Sequence, residues 1–571
     1  MPEIDPRNSA FSWSTLFVRT LFEHGIEHLV ISPGSRSTPL TLAFASHPGF
    51  NNHIIIDERS AAFTALGIGK ASAKPAVLVC TSGTAVANYL PAVIEAKQSG
   101  VPLIIASADR PPRYRNLGAS QTIDQLKLFG NYTAFFHETG EPDHSSGSRA
   151  RLQLAAKQAV QLATDQEGVS HLNFAFRKPF EPETDYLNKV RLENQKHANR
   201  IFSVYEKEVG KIRLDETFWS DLVSAERPLI IVGPTSPGDA TSFISDLAEV
   251  LGAPLLAEPG SNIPASPKTI EGFDGFLRNK TNRELLNPDL ILRFGQQPVS
   301  KALNKLLEEA DSAMQICFMN PNRWTDGSLS SDKQISLNAP LHIPEVTGSA
   351  SPEWIQSWEQ AEIAFTNFRS TQLETAPPLT DGIVFSELSP LIPENAFTML
   401  SNSFPVRDLS LFGTFNDKKI YVNRGAAGID GITSTAIGLS IAEDRPGVLF
   451  VGDIAFLHDS NALLNAALVT QPLIVVILNN GGGTIFRMLP VHSVKDHYET
   501  YFETPQQASI SALCRAHKVH HTLISKQDQL QEVFEERLSQ NGLSVLECMT
   551  DADDSMILRN QLWNFSLGEQ E

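Results

Sequence analysis

The sequence has little cysteine, no excess of positive charge and no long apolar run, and each shortage excludes a class of protein. Its four cysteines are far apart and form no CxxC pair, so neither a disulfide framework nor a zinc site is indicated. The net charge of −19 argues against nucleic acid as a partner, because phosphates need a basic surface. No apolar run is long enough to span a membrane, and the first residues lack the basic-then-apolar pattern of a signal peptide. We therefore expect a cytoplasmic protein that binds neither nucleic acid nor a membrane.

The length and the order of apolar runs predict several α/β domains. A chain of 571 residues is too long for one hydrophobic core, and 42% hydrophobic with 19% charged residues is typical of globular proteins. Short apolar runs alternate with helical patterns, which indicates parallel sheets covered by helices. We predict three doubly wound parallel-sheet domains of the α/β class. Their expected bounds are 1–185, 196–350 and 381–571, with a linker at 351–380.

The stretch 448–486 predicts a βαβ unit with a ligand site at the ends of its strands. Apolar runs at 448–451 and 473–478 read as buried parallel strands joined by a helical segment; the first ends at Asp453, the second at Asn480 before three glycines. Both strand ends then lie at one edge of the sheet, where such folds bind ligands. Carboxylate, amide and carbonyl oxygens suit Mg²⁺ bridging a phosphate group, and glycines allow close approach of the backbone. An ordinary βαβ unit with a capping aspartate is the alternative.

The first domain repeats this arrangement, which indicates an internal duplication. Its predicted strands, each followed by a polar turn, are 28–31, 53–56, 76–80 and 102–106. GIGKASAKPAVLVCTSG from Gly67 aligns with GLSIAEDRPGVLFVGDI from Gly438, and each copy has a proline eight residues in. In that register Ser82 falls opposite Asp453, so only the second copy carries the metal ligand. Chance similarity between two βαβ units is the alternative.

Several motifs resemble those of thiamine-diphosphate enzymes. Gly-Asp followed a little under thirty residues later by Asn-Asn resembles their diphosphate-binding motif, although Ile454 stands where glycine is usual. Six segments together are similar to the family of 2-succinyl-5-enolpyruvyl-6-hydroxy-3-cyclohexene-1-carboxylate synthases: SPGSRSTPL, DERSAAFTALGIGKAS, TSGTAVAN, ADRPP, NRGAAGIDG and NNGGGTIF. The similarity covers both outer domains in the same order, and the middle domain matches loosely.

The resemblance implies a transferase of menaquinone or phylloquinone biosynthesis. Such an enzyme uses thiamine diphosphate with Mg²⁺ or Mn²⁺ to decarboxylate 2-oxoglutarate. It then adds the succinic-semialdehyde carbanion equivalent 1,4 to isochorismate. The outer domains would bind the pyrimidine and the diphosphate of the cofactor, respectively.

One carboxylate is required for the chemistry of this cofactor. Thiamine diphosphate loses the C2 proton of its thiazolium ring to its own iminopyrimidine and then acts as an electron sink. The imino form is favoured when a carboxylate binds the opposite ring nitrogen, and Glu58, at the end of the second predicted strand, is placed for this role. An acid that stabilises a helix N-terminus is the alternative for Glu58. Because the two rings contact different domain copies, we expect an active site between the subunits of a homodimer or a dimer of dimers.

The resemblance also implies the remaining site residues. Both substrates are dicarboxylates, for which arginine is preferred because it forms bidentate pairs. Substrate cations fall by motif match on Arg36, Arg110, Arg407, Arg424 and Lys301, and polar contacts on Ser35, Gln121 and Ser403. The four arginines and Gln121 join Glu58 as candidate catalytic residues. The apolar wall falls on Ile485, Phe486 and Leu489. The other cofactor contacts fall on Gly428, Ile429, Gly452, Asp453, Asn480, Gly482 and Gly483, with Asp453, Asn480 and the Gly482 carbonyl as metal ligands.

Some of these assignments have open alternatives. Each arginine could instead form a surface or domain-interface salt bridge. Some family members have arginine directly after the lysine where this chain has Ala302, which leaves the isochorismate contacts of the middle domain open.

Three other functions compete with this one. The nearest is another thiamine-diphosphate 2-oxo-acid decarboxylase or carboligase, such as one that makes acetolactate, but small substrates would not call for so many arginines. A non-catalytic α/β scaffold is disfavoured because Glu58, Asp453 and Asn480 are all present. A nicotinamide dehydrogenase is disfavoured because no GxGxxG follows the first strand.

Overall fold

The structure, a computed structural model, describes residues 5–165, 168–200, 202, 210–236, 239–321, 323–415 and 417–568. Within these residues the strands form three sheets in which every pairing is parallel. The prediction of three parallel-sheet α/β domains is therefore confirmed. The predicted bounds of the domains and of the linker stay predictions.

The first sheet has six strands in the order β2-β1-β3-β4-β6-β5. Its central strands are buried along their whole length because helices cover both faces. The strands are β1 (His28–Ile31), β2 (Asn51–Ile54), β3 (Ala76–Cys80), β4 (Leu103–Asp109), β5 (Thr133–Gly140) and β6 (Val169–Ala175). The helices are α1 (Pro6–Glu23), α2 (Thr38–Ala45), α3 (Glu58–Ser72), α4 (Thr84–Ala87), α5 (Leu90–Ser99), α6 (Ser146–Asp165) and α7 (Thr184–Ala198).

The second sheet has five strands in the order β11-β10-β9-β7-β8. The strands are β7 (Pro228–Val232), β8 (Leu255–Ala257), β9 (Leu290–Phe294), β10 (Met314–Met319) and β11 (Lys333–Ser336). The helices are α8 (Glu216–Val223), α9 (Ile244–Leu251), α10 (Phe273–Phe276), α11 (Lys280–Leu285), α12 (Lys301–Glu309) and α13 (Pro352–Thr375). The last of these helices lies within the range 351–380 that was predicted as a linker.

The third sheet has six strands in the order β13-β12-β14-β15-β17-β16. The strands are β12 (Phe397–Leu400), β13 (Lys419–Val422), β14 (Gly447–Gly452), β15 (Pro472–Asn479), β16 (His520–Ile524) and β17 (Gly542–Met549). The helices are α14 (Asp381–Leu388), α15 (Pro405–Phe412), α16 (Ile432–Glu443), α17 (Asp453–His458), α18 (Lys495–Tyr498), α19 (Ile510–Ala516), α20 (Leu530–Leu538) and α21 (Ala552–Trp563).

By compactness the chain divides into two units. The first comprises Met1–Lys207, Arg424–Asp444 and Asp459–Thr470, and the second comprises Glu208–Asn423, Arg445–His458 and Gln471–Glu571. Helix α16 therefore belongs with the first unit, although the strands of its sheet belong with the second.

The first and third sheets are copies of one topology. When the strands are renumbered within each sheet, both orders read 2-1-3-4-6-5. Within the first unit, α3 and α16 cross at positions that the duplication makes equivalent. A Cβ on Gly67 would lie 2.2 Å from the Thr435 carbonyl oxygen, and a Cβ on Gly438 would lie 2.0 Å from the Thr64 carbonyl oxygen. The contact is reciprocal, and it requires glycine on both helices because each meets backbone.

Three elements differ from the sequence predictions, and one of them is β4, which covers Leu103–Asp109 rather than 102–106. Strand β2 covers Asn51–Ile54 rather than 53–56, because its position is set by hydrogen bonding to β1, where Ile54 pairs with Ile31. The helical segment between β14 and β15 is one short α-helix followed by a 3₁₀ helix at Ser460–Leu468. The break falls at Asp459, whose carboxylate accepts hydrogen bonds from the backbone N–H and hydroxyl of Ser434.

Candidate active site

Asp453 and Asn480 follow neighbouring strand ends of the third sheet, as predicted. Strands β14 and β15 pair in parallel, with Gly452 opposite Leu478. Asp453 is 5% exposed, and burial raises the pKa of its carboxyl to about 7 although backbone N–H groups lower it. A buried carboxylate of this kind gains from a cation. The amide nitrogen of Asn480 donates to Asp381 at 3.0 Å, which leaves its carbonyl oxygen to face other partners.

The glycines beside these residues leave open space and bare backbone. A Cβ added to Gly452 or Gly481 would meet no atom within 4 Å, whereas one on Gly482 would lie 2.3 Å from the Glu503 carbonyl oxygen. Gly482 also has φ +142°, which L side chains rarely adopt. Its own carbonyl accepts from the backbone N–H of Thr484 at 2.9 Å and keeps a second lone pair. Backbone and open space of this kind fit a diphosphate.

The oxygen donors fit a hard divalent cation. Across the described ranges, no group of three His, Cys, Asp or Glu side chains is placed to hold a metal ion. A metal at this edge would therefore use the Asp453 carboxylate together with amide and backbone oxygens and the phosphate of its ligand. That is the donor set that Mg²⁺ commonly takes in phosphate sites.

Glu58 is the first residue of α3 and is partly buried, but it does not cap the helix. The cap is Asp57, whose carboxylate accepts from the backbone N–H groups of Arg59 at 2.9 Å and Ser60 at 3.2 Å. The second carboxylate oxygen of Asp57 accepts from Asn461 at 2.6 Å. Asp57 is thus the cap, while Glu58 is the acid of the first turn, where the helix dipole favours a negative charge, so the alternative of an acid at a helix N-terminus stays open.

Arg36 and Arg110 lie together at the carboxyl edge of the first sheet. Arg36 is 9% exposed; it donates to the Phe176 carbonyl at 2.7 Å and stacks on Phe180 at 4.6 Å. Burial, and then the charge of Arg110, lowers the pKa of Arg36. The Nε of Arg110 is buried and has no hydrogen-bond partner among the described residues. A buried and a partly buried cation side by side favour an anionic ligand.

The polar residues predicted beside them lie on neighbouring turns. The backbone carbonyl of Gln121 accepts from the Ser82 hydroxyl at 3.0 Å, and its side chain covers Gly83, so Gln121 lies over the turn after β3. Ser35 lies in the turn before α2, where its carbonyl accepts from the Thr38 hydroxyl at 2.8 Å.

A second group of cations lies in the other unit. Arg407, on α15, is partly buried and donates to the carbonyl oxygen of Ser403, a residue with φ +74°. Burial, and then the charges of Arg278 and Arg407, lowers the pKa of Lys301. The predicted residues Lys301, Ser403 and Arg407 are thus neighbours.

The remaining predicted residues lie in the loop before α16 and in the segment after Gly482, where Ile485 and Phe486 belong to a 3₁₀ helix at Thr484–Met488. Arg424, Gly428 and Ile429 lie in the loop before α16, where Glu95 accepts from the backbone N–H groups of Gly425 and Ala426 at 3.0 and 2.6 Å. Gly483, Ile485, Phe486 and Leu489 follow Gly482, and the Gly483 N–H donates to the Glu503 carbonyl at 2.6 Å.

Comparison with known proteins bears on these assignments. Residues 12–128 match the family "Thiamine pyrophosphate enzyme, N-terminal TPP binding domain", and 410–548 match its C-terminal TPP binding domain. Residues 188–396 match the middle domain of thiamine pyrophosphate enzymes. The chain is 37% identical over 567 residues to the 2-succinyl-5-enolpyruvyl-6-hydroxy-3-cyclohexene-1-carboxylate synthase of Geobacillus kaustophilus, covering 97% of each chain. It is 36% identical to synthases of the same name from Synechococcus elongatus (98% and 97% covered) and Haloarcula marismortui (96% and 97%). The chain belongs to this synthase family.

Membership in the synthase family confirms several predictions. The resemblance, the fold class and the prediction of a thiamine-diphosphate-dependent synthase are all confirmed. Within the part of the chain that the structure describes, no helix has both the length and the apolar character needed to cross a membrane. The residue assignments, the metal, the substrates and the subunit arrangement stay predictions.

A buried ion network behind Asn480 was not predicted. Asp381 accepts from Asn480, from the Thr550 hydroxyl at 2.6 Å and from Arg559 at 2.6 Å. Arg559 also binds both carboxylate oxygens of Asp408, next to Arg407, at 2.8 and 2.5 Å. The synthase thereby fixes a predicted metal ligand and a predicted substrate cation through one arginine. In sequence Asp381 looks only like the acidic first turn of a helix, and nothing marks Arg559.

Proposed function

We propose that this chain makes 2-succinyl-5-enolpyruvyl-6-hydroxy-3-cyclohexene-1-carboxylate from 2-oxoglutarate and isochorismate, with release of CO₂, in menaquinone or phylloquinone biosynthesis. One observation carries the proposal: Asp453 and Asn480 follow the ends of two adjacent strands, and three glycines come directly after Asn480. Bound thiamine diphosphate supplies a nucleophilic carbon and an electron sink. Everything else must come from the side chains and backbone of the chain.

The metal and the diphosphate would be held by the third sheet. Asp453, Asn480 and the Gly482 carbonyl would bind Mg²⁺ or Mn²⁺, and the metal would offset the cost of burying the Asp453 carboxylate. The close backbone at Gly482 and the open space at Gly452 and Gly481 support this proposal, because a side chain there would fill the path of the phosphates.

Glu58 would polarise the pyrimidine. Its carboxylate at the start of α3 would accept a hydrogen bond from the ring nitrogen, which holds the proton on the ring where proton transfer requires it. Glu58 lies in the first turn of α3, and Asp57 performs the capping.

Two groups of cations support dicarboxylate substrates. Arg36 and Arg110 form one group, and Lys301 and Arg407 form another; Arg36 is buried, Arg110 and Arg407 are partly buried, and Lys301 is exposed. Carboxylates bound there would be fixed by charge-assisted hydrogen bonds that a monocarboxylate could only partly replace. We propose a homodimer or dimer of dimers with active sites between subunits; the cytoplasmic location expected from the sequence stays a prediction.

The test measures isochorismate loss in the presence of 2-oxoglutarate, thiamine diphosphate and Mg²⁺. Consumption that needs all three additions supports the proposal. If pyruvate replaces 2-oxoglutarate equally well, the enzyme is a different carboligase.

Glu58→Gln tests the catalytic carboxylate separately. We expect turnover to fall by orders of magnitude, about 10²–10⁴-fold, while calorimetry shows an almost unchanged affinity for thiamine diphosphate with Mg²⁺. Glu27→Gln, at an exposed carboxylate paired with Lys74, is the matched control and should be fully active. Near-normal turnover of Glu58→Gln would remove Glu58 from the mechanism.

A further inference from the structure

Three cations, rather than the two expected, come together around the start of α12. Lys301 is the first residue of α12, Arg407 lies on α15, and Arg278 follows α10, which packs against both helices. The hydroxyl of Ser300 donates to the Asp274 carboxylate on α10 and so ties α10 to α12. Arg407, Ser300 and Asp274 line one small cavity.

Arg278 is held with its guanidinium ready for a ligand. The guanidinium lies 4.4 Å from the centre of the Trp563 ring, so a cation–π contact limits its movement. Its Nε is buried and has no hydrogen-bond partner among the described residues. A buried guanidinium nitrogen of this kind costs free energy unless an acceptor is bound to it.

The acids of this cluster already have partners. Glu258 accepts from the backbone N–H groups of Val299 at 2.8 Å and Ser300 at 2.6 Å, and Asp274 accepts from the Ser300 hydroxyl. These acids partly balance Arg407, whose pKa is nevertheless lowered, first by burial. The charge of Arg278 lowers the pKa of Lys301 further after burial, so the two cations repel each other. Such repulsion is relieved when an anion binds between them.

The residue after Lys301 cannot supply the third charge. Ala302 is 1% exposed and belongs to the hydrophobic core under α12, so this position faces away from solvent. We propose that Arg278 binds a carboxylate of isochorismate together with Lys301 and Arg407, and so supplies the charge that Ala302 lacks. The inference rests on the proposed function, because it deepens the assignment of the same site.

The experiment compares Arg278→Met, which keeps a flexible apolar stem against Trp563, with Arg278→Lys, which restores the charge. We expect Arg278→Met to raise the KM for isochorismate about tenfold to hundredfold, the loss typical of one charge-assisted hydrogen bond. The kcat and the KM for 2-oxoglutarate should stay within about threefold of the wild-type values. Arg278→Lys should recover part of the loss.

A matched control and a binding assay separate this inference from the proposed function. Arg369→Met removes another arginine that stacks on an aromatic ring, at 5.9 Å from Phe365, and should leave every constant unchanged. Calorimetric titration with chorismate, a dicarboxylate isomer of the substrate, should show the same weakening for Arg278→Met even if no turnover is detected. Unchanged chorismate affinity, or equal losses for both substrates together with a lower melting temperature, would overturn the inference. Should Arg278→Met fail to fold, the comparison of Arg278→Lys with Arg278→Gln decides it, and equal affinity of these two would count against a bound carboxylate.

Discussion

Removing Arg559 should destabilise the third domain far more than removing an exposed cation. Arg559 and the two carboxylates that it binds, Asp381 and Asp408, are each 1% exposed, and its guanidinium also lies 3.7 Å from the Phe404 ring centre. Arg559→Met keeps the apolar contact but leaves two buried carboxylates without their cation. Loss of one partner of a buried ion pair costs about 3–5 kcal/mol, because the remaining charge is not solvated.

The stability lost in Arg559→Met should depend on pH. Burial raises the pKa of Asp408 to about 6 even with Arg559 present. A carboxyl with a higher pKa in the folded than in the unfolded state binds more protons when folded, so stability falls as pH rises from about 4 through 6. Without Arg559 the pKa of Asp408 rises further, so the pH range over which stability falls extends to higher pH. Arg559→Met should therefore be least harmful near pH 5 and most harmful above pH 7.

Hydrogen exchange of α15 and α21 is the appropriate assay. A chain with three α/β domains need not unfold in one step, whereas amide protection reports the local free energy of opening. Lys305→Met is the control, because Lys305 forms an exposed ion pair with Glu308. It should change the free energy of opening of α12 by less than about 1 kcal/mol. The double variant Arg559→Met/Asp408→Leu should recover part of the loss, since an ion pair replaced as a whole can be nearly neutral. A cost below about 1 kcal/mol for Arg559→Met, or no dependence on pH, would refute the reasoning.

Two further predictions follow from the glycine crossing and from the buried metal ligand. Gly438→Ala places a methyl group 2.0 Å from a backbone oxygen and should lower the free energy of opening of α16 by about 1–3 kcal/mol in hydrogen exchange. Gly147→Ala, in open space on α6, should raise the free energy of opening of α6 by about 0.5–1 kcal/mol. Equal effects of Gly438→Ala and Gly147→Ala would contradict the close packing of α3 against α16. Asp453→Asn removes a carboxyl whose raised pKa makes its ionised form costly, so the cofactor-free variant should be more stable at pH 8 by on the order of 2 kcal/mol, a gain that shrinks as pH falls from 7 towards 4. Calorimetry should show that the same variant no longer binds Mg²⁺ with thiamine diphosphate, and retained binding would count against the metal assignment.

The sequence predicted buried strands well and the edge strand less well. The bounds of β1 and β3 agree with the predicted strands 28–31 and 76–80. Helices cover both faces of these strands, so the apolar run extends as far as the strand itself. β2 is an edge strand with mostly exposed residues, and its extent follows hydrogen bonding to β1. The isoleucine run at 54–56 led the sequence prediction to place β2 too late in the chain. Ile56 lies beyond the strand and is 72% exposed.

The position of a candidate residue was predictable where a motif lies next to a strand end, as at Asp453 and Asn480, while the roles of these residues stay predictions. It was not predictable where partners are distant in the chain. Asp381 and Asn480 are 99 residues apart, and Arg559 is 178 residues from Asp381. A lone arginine in a helix gives no sign of such a partner.

The crossing of α3 and α16 has a consequence for the origin of the chain. Gly67 touches the helix of Gly438 at the point where Gly438 touches the helix of Gly67, and the threonines that they meet are themselves equivalent. Mutual contact between like positions is the property of a two-fold homodimer interface. Two separate copies of this fold could form the contact only by associating, which depends on concentration, whereas in one polypeptide the contact is intramolecular at any concentration.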